Sequence, residues 1–145
     1  MKKIMLIGSI NCGKTTLCQR MNGIVRRYKK TQTLEVINST IDTPGEYLEQ
    51  RHFFYGLIAA SVEVDLILML QDATDNRFSY SPGQSAAFAS PCIGVVTKID
   101  IATLQQIRDA EERLRIAGAE KVFRVSSHTG ENLEKLMSYI EQEHS

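Results

Sequence analysis

The chain has 145 residues, 43% of them hydrophobic, and its 17 lysines and arginines balance 17 aspartates and glutamates. That length suits one domain over residues 1–145, large enough to bury roughly two-thirds of the surface its unfolded chain exposes. A net charge of zero offers no field to a polyanion, which argues against nucleic-acid binding, and the ordinary apolar content argues against disorder.

At the N-terminus, Met1-Lys2-Lys3 precedes an apolar run that stops at Gly8. A secretory signal needs ~7–15 apolar residues and a cleavage site, so none is expected. Lys3 to Ile7 instead has the length of a buried strand ending at a glycine. The residues that follow, Gly8-Ser9-Ile10-Asn11-Cys12-Gly13-Lys14-Thr15, fit GxxxxGK[ST] without a mismatch. A helix is predicted from Lys14 to Asn22, with Leu17 and Met21 on one face and Gly23 placed to stop it. Strand, glycine loop and helix in this order form a phosphate cradle. Glycines let the backbone curl until successive N–H groups of Gly8, Ser9, Asn11, Cys12 and Gly13 face phosphate oxygens. The helix N-terminus, at Thr15 and Thr16, adds about half a positive charge. Lys14 would reach the β- and γ-phosphates, and the Thr15 hydroxyl would ligate Mg²⁺.

Next comes a basic loop, Arg26-Arg27-Tyr28-Lys29-Lys30-Thr31-Gln32-Thr33. Thr31 is the candidate to cap the Mg²⁺ when a γ-phosphate is present, with Thr33 in reserve. Asp42-Thr43-Pro44-Gly45 follows a short strand-like segment. Asp42 is positioned to hold Mg²⁺ through water, and the Gly45 N–H to meet a γ-phosphate. Phe53-Phe54-Tyr55, beside Leu57 and Ile58, reads as core.

Val64 to Leu70, Ile93 to Val96 and Val122 to Val125 are further short aliphatic runs. They are too apolar for a sheet with one face in water. The uninterrupted stretch Leu66 to Leu70 is also far below the ~20 residues of a membrane span. Asp72 to Pro91 has little helical periodicity and reads as a long loop holding at most a helical stub, Gln84 to Ala89. Thr97-Lys98-Ile99-Asp100 ends a strand with a TKxD pattern. A carboxylate there can accept from guanine N1–H and N2–H₂ together, and would be left unpaired against adenine. The Lys98 stem would pack along the base.

Thr103 to Gln106 has capping-box spacing, and Leu104, Ile107 and Leu114 are expected to share a face before Gly118 ends the helix. Ser126-Ser127-His128 follows the last strand, where a backbone N–H could meet guanine O6. A final helix carries Leu133, Leu136, Met137 and Ile140 at i, i+3, i+4, i+7. Apolar strands alternating with helices predict a mostly parallel sheet covered on both faces, a three-layer α/β/α domain. Cys12, Cys18 and Cys92 lack CxxC spacing, so neither disulfides nor zinc are expected and the compartment is reducing, the cytoplasm.

These motifs, in this order, resemble the small GTPase-like P-loop proteins. More narrowly, Lys29-Lys30-Thr31-Gln32 and Asp42-Thr43-Pro44-Gly45-Glu46-Tyr47 in so short a chain resemble the EutP/PduV family. That family is encoded with the bacterial ethanolamine and propanediol utilisation systems, which use protein-shelled microcompartments. The resemblance implies a Ras-like G domain binding GTP or GDP with Mg²⁺, ATP being the alternative. The implied site comprises the P-loop, Thr97, Lys98, Asp100, Ser126 and Ser127, with Lys14, Glu46 and Thr31 in catalysis and Thr15, Thr31 and Asp42 at the metal. It implies a switch or accessory factor, associated with the microcompartment and partnered by shell or metabolic enzymes. Two alternatives accompany it: an acetate-kinase type of phosphotransferase, and a non-catalytic nucleotide-bound adaptor.

Departures from the general pattern carry expectations of their own. Thr97 stands where Asn is usual, and Ser127-His128 where Ala-Lys is common. Glu46 stands where Ras-like enzymes carry a water-orienting Gln, which predicts slow hydrolysis. The short interval from Thr31 to Asp42 leaves little room for a full second strand and hairpin. The domain is therefore expected to be abbreviated at its second strand and third helix, with the nucleotide loops retained.

Overall fold

The computed structural model describes residues 2–8, 13–28, 34–38, 58–59, 61–76, 80 and 82–143. In chain order they form β1 (Lys2–Ile7), α1 (Lys14–Tyr28), β2 (Leu34–Asn38), β3 (Leu66–Asp72), a single 3-10 turn (Gln84–Ala87), β4 (Cys92–Thr97), α2 (Leu104–Ile116), β5 (Val122–Arg124) and α3 (Leu133–Glu143). The five strands make one sheet in the order β2-β1-β3-β4-β5, and every neighbouring pair is parallel.

The apolar runs dictate this arrangement. All residues of β3 and β4 are buried, as a strand covered on both faces requires. Alternate side chains then supply two cores. Ile4, Leu6, Leu66, Leu68, Leu70, Ile93 and Val95 pack with Leu17 and Met21 of α1 and with Leu133, Leu136, Met137 and Ile140 of α3. Met5, Ile7, Ile67, Met69 and Val96 pack on the other face with Ile107, Ala110 and Leu114 of α2. Among the described residues, two helices on one face and one on the other give the three layers expected from the sequence. Each such side chain stabilises by ~1.5–3 kcal/mol when fully buried, so the four apolar residues of α3 suffice to hold that short helix in place.

The chain enters through β1, places β2 on one side of it and then crosses to place β3 on the other. The reversal creates a crevice outside the carboxyl ends of β1 and β3, the place where parallel sheets bind ligands. β2 has five residues and pairs parallel with β1. No antiparallel strand occurs among the described residues.

Two details differ from the sequence expectation. α1 continues through Gly23 to Tyr28, because Gly23 keeps a right-handed helical backbone while Leu17 and Met21 anchor the helix. One interior glycine costs only ~1 kcal/mol, less than that anchoring supplies. Leu104 does not share the buried face of α2; it lies in the first turn, ahead of the packed stretch, and is 54% exposed. The capping box itself is present, with Thr103 Oγ1 accepting from Gln106 N at 3.1 Å and Gln106 Oε1 from Thr103 N at 2.8 Å. Gly118, at φ +104°, ends the helix as expected.

The segment after β3 has a clear structural task. Its 3-10 turn occupies Gln84–Ala87, inside the predicted stub. Gly83 N and Ser85 N donate to Ile116 O and Ala117 O at 2.8 and 2.9 Å, and Ser85 Oγ to Gly118 O at 3.0 Å. It therefore satisfies carbonyls that the end of α2 leaves without helical partners.

Candidate functional site

β1 delivers the chain to the crevice at Gly8, which is buried. On the far side of the loop Gly13 has φ +97°, a left-handed conformation that a side chain would strain. Leu17 N closes the first turn of α1 onto Gly13 O at 2.9 Å. Lys14 is 5% exposed, and its Nζ reaches back across the loop to donate to Gly8 O at 3.0 Å. The ammonium is thus held at the mouth of the loop and at the positive end of α1. Thr15 and Thr16 are exposed in that first turn, where a hydroxyl oxygen can serve as a hard ligand for a cation.

A second strand end meets this loop. A Cβ on Gly13 would lie 3.9 Å from both Cβ and Oγ1 of Thr97, so Gly13 packs against the end of β4. Thr97 is 2% exposed and its Oγ1 lies 3.5 Å from Gln71 O. Immediately after it, Lys98 adopts φ 63°, rare for a residue with a side chain. The kink is held from both sides: Ile101 N donates to Lys98 O at 3.2 Å, and Lys98 Nζ contacts Asp72 Oδ2 at 2.8 Å. Asp72 also accepts from Thr74 N at 2.8 Å and Thr74 Oγ1 at 2.6 Å through Oδ1. The carboxylate thereby joins the ends of β3 and β4 and fixes the lysine stem. Asp100, two residues on, is exposed.

The last loop lies alongside. Val125 N donates to Val96 O at 2.8 Å, and Ile99 N to Val125 O at 3.4 Å. Ser126 is fully buried and begins a turn closed by Gly130 N donating to Ser126 O at 2.8 Å. Arg20 of α1 donates to Ser127 O at 2.6 Å and to His128 O at 2.9 Å.

Of the residues proposed from sequence, Gly8, Gly13, Lys14, Thr15, Thr16, Thr97, Lys98, Asp100, Ser126 and Ser127 stand at the carboxyl ends of β1, β4 and β5 or in the first turn of α1. Ser9, Asn11, Cys12, Thr31, Asp42, Gly45 and Glu46, with Thr33, Phe53, Phe54 and Tyr55, lie outside the described residues. Among the described residues no group of three or more His, Cys, Asp or Glu could hold a metal, and no helix is long and apolar enough to cross a membrane.

Sequence reasoning missed three contributors. Asp72 had a local signal: an acid at a strand end with a threonine two positions on, the pattern of a turn closed by its own side chain. Tyr80, 5% exposed, places its hydroxyl 3.0 Å from Ile7 O and 2.8 Å from Leu70 O, bridging β1 and β3 at the end of β1. Arg20 carried no signal. The Cys18 thiol is pushed up by burial, against the hydrogen bond from Asn22, so it is not an activated thiolate.

The parallel sheet, with Gly8 at the end of β1 and Gly13 at the start of α1, has the three-layer α/β P-loop fold. Translation elongation factor SelB from Methanococcus maripaludis, solved with the GTP analogue GppNHp, superposes with a TM-score of 0.64 at 19% identity. The match covers 97% of this chain and 33% of SelB, so the chain spans about a third of that structure's length. The chain belongs to the PduV-EutP family, described as ethanolamine utilisation - propanediol utilisation, whose pattern matches residues 1–142. It is 41% identical over 145 residues to the propanediol utilization protein PduV of Citrobacter freundii, covering 100% of this chain and 97% of that one. With the Escherichia coli K12 protein named "Probable acetate kinase EutP" it shares 28% identity over 142 residues, 97% of this chain and 89% of the relative.

Proposed function

We propose that the chain binds a guanine nucleotide with Mg²⁺ and hydrolyses GTP slowly, as a switch or accessory factor in ethanolamine or propanediol utilisation. The observation that carries this reading is the Lys14 ammonium, buried and held 3.0 Å from Gly8 O across a loop whose Gly13 is left-handed. A cation fixed there, beside a helix N-terminus and loop amides, is a donor set for phosphate oxygens.

Backbone amides of Gly8, Ser9, Asn11, Cys12 and Gly13 cradle the phosphates in this reading, and Lys14 bridges the β- and γ-groups. Thr15, Thr31 and Asp42 hold Mg²⁺, which when bound supplies charge neutralisation at the transferring phosphoryl group. Thr16 supports the α-phosphate side of the first turn, and the Gly45 N–H meets the γ-phosphate. Glu46 takes the proton of an attacking water. Thr97 supports the phosphate loop, Lys98 covers the base, Asp100 accepts from its N1–H and N2–H₂, and the Ser126–Ser127 turn meets O6. Catalysis then consists of positioning and charge neutralisation. Shell proteins or metabolic enzymes of a microcompartment are the partners in this account.

The relative named as a probable acetate kinase favours a second reading, transfer of the phosphoryl group to acetate in place of water. Phosphate release and acetyl-phosphate formation, followed from GTP and from ATP with and without Mg²⁺, distinguish the two. The switch reading predicts Mg²⁺-dependent phosphate release from GTP well below ~1 s⁻¹, since unassisted P-loop GTPases turn over far more slowly than that. Acetyl phosphate forming faster than free phosphate would establish the transferase instead. Tight binding without turnover of either kind would make the chain a non-catalytic adaptor.

A further inference from the structure

We infer that Arg20 is a positioning residue for recognition of the base at O6, acting through the Ser127–His128 turn. The inference rests on the guanine-nucleotide reading above. Arg20 is exposed on α1, six residues beyond Lys14, and bridges more than a hundred residues of sequence to reach the carbonyls of Ser127 and His128. One guanidinium holding two successive carbonyls fixes two peptide planes, because its donors form a rigid fork. The preceding carbonyl, Ser126 O, is held by Gly130 N at 2.8 Å.

In a trans peptide the N–H points opposite to the carbonyl. Arg20, holding Ser127 O, therefore directs the His128 N–H away from itself, and Gly130 N, holding Ser126 O, fixes the Ser127 N–H of the preceding peptide. The next one, Thr129 N, donates to Ser126 Oγ at 3.1 Å, and Ser126 N donates to Glu131 O at 3.2 Å. Within this turn, the Ser127 and His128 N–H groups make no hydrogen bond to another described residue. They are the donors available to a carbonyl oxygen such as O6. Arg20 also makes α1 a ruler: the helix whose first turn carries Lys14 sets the position of the base-side turn, and so the spacing from phosphate to base.

Binding of GDP, inosine diphosphate and 2-aminopurine riboside diphosphate to wild type, Arg20→Ala and Arg20→Lys tests this. Inosine lacks the 2-amino group that Asp100 would accept from; 2-aminopurine keeps it and lacks O6. In Arg20→Ala, GDP and the inosine nucleotide should both weaken about three- to tenfold, the worth of one hydrogen bond. The 2-aminopurine nucleotide should be unchanged, and Arg20→Lys, able to hold one carbonyl, should be intermediate. Equal weakening of all three nucleotides would mean a purely structural role and would overturn the inference. So would unchanged binding of all three in both variants, in a wild type that prefers GDP to ADP. A wild type with no preference for GDP over ADP would overturn the guanine reading itself, and this inference with it.

Discussion

Replacing Asp72 by asparagine changes one atom and removes one charge from a group that is 8% exposed and accepts three hydrogen bonds. The amide oxygen can still serve Thr74, but an N–H₂ then faces the Lys98 ammonium where Oδ2 stood at 2.8 Å. A hydrogen bond to a charged partner is worth ~1.5–3 kcal/mol when enclosed, and the 36% exposure of the lysine side chain lowers that to about 1–2 kcal/mol. For a domain of this length the melting temperature should fall by roughly 2–8 °C. Lys98→Met keeps the stem but leaves the carboxylate without its cation, and should cost about 2–3 kcal/mol. The double variant loses the pair together, so its destabilisation should fall short of the sum of the singles by about 1 kcal/mol. Urea unfolding of the four proteins measures that coupling. Additivity within ~0.3 kcal/mol would refute the idea that this pair holds the kink at Lys98.

Tyr80→Phe removes the hydroxyl lying between Ile7 O and Leu70 O and should destabilise by ~1–2 kcal/mol in urea unfolding without altering the m-value; a change below ~0.3 kcal/mol would show that the hydroxyl does not hold those strands. The Cys92 thiol, pushed up to about 12 by burial and then by Glu120, supplies stability that is complete below pH 9 and lost as the pH rises from about 9 toward 12, because the unfolded chain ionises first. Between pH 7 and 10 the wild type should lose ~1.4 kcal/mol more than Cys92→Ala, and parallel profiles of the two proteins would contradict this.

Local chemistry explains which features the sequence revealed. Aliphatic runs marked β1, β3 and β4 because strands covered on both faces have no polar alternation to obscure them. The capping box at Thr103 and the left-handed Gly118 bounded α2 for similar reasons, both being conformational requirements of a few adjacent residues. Gly23 misled because a glycine stops a helix only where the backbone turns left-handed, and burial of Leu17 and Met21 decides otherwise here. The site divides in the same way. The phosphate loop and the TKxD strand end are contiguous motifs, whereas their supports are not. Lys98 meets Asp72 across the end of the sheet, Tyr80 meets Ile7 and Leu70, and Arg20 meets Ser127 and His128. Each pairing depends on strand order and helix packing, and no periodicity in the chain encodes it.

The measurement closest to the central claim is nucleotide affinity: GTP, GDP and ATP titrated with and without Mg²⁺ into the wild type and Asp100→Asn. The account predicts tighter binding of GTP and GDP than of ATP, strengthened by Mg²⁺ for GTP, with the guanine preference lost in Asp100→Asn. Equal affinity for ATP and GTP in the wild type, or a guanine preference that survives loss of the Asp100 carboxylate, would contradict it.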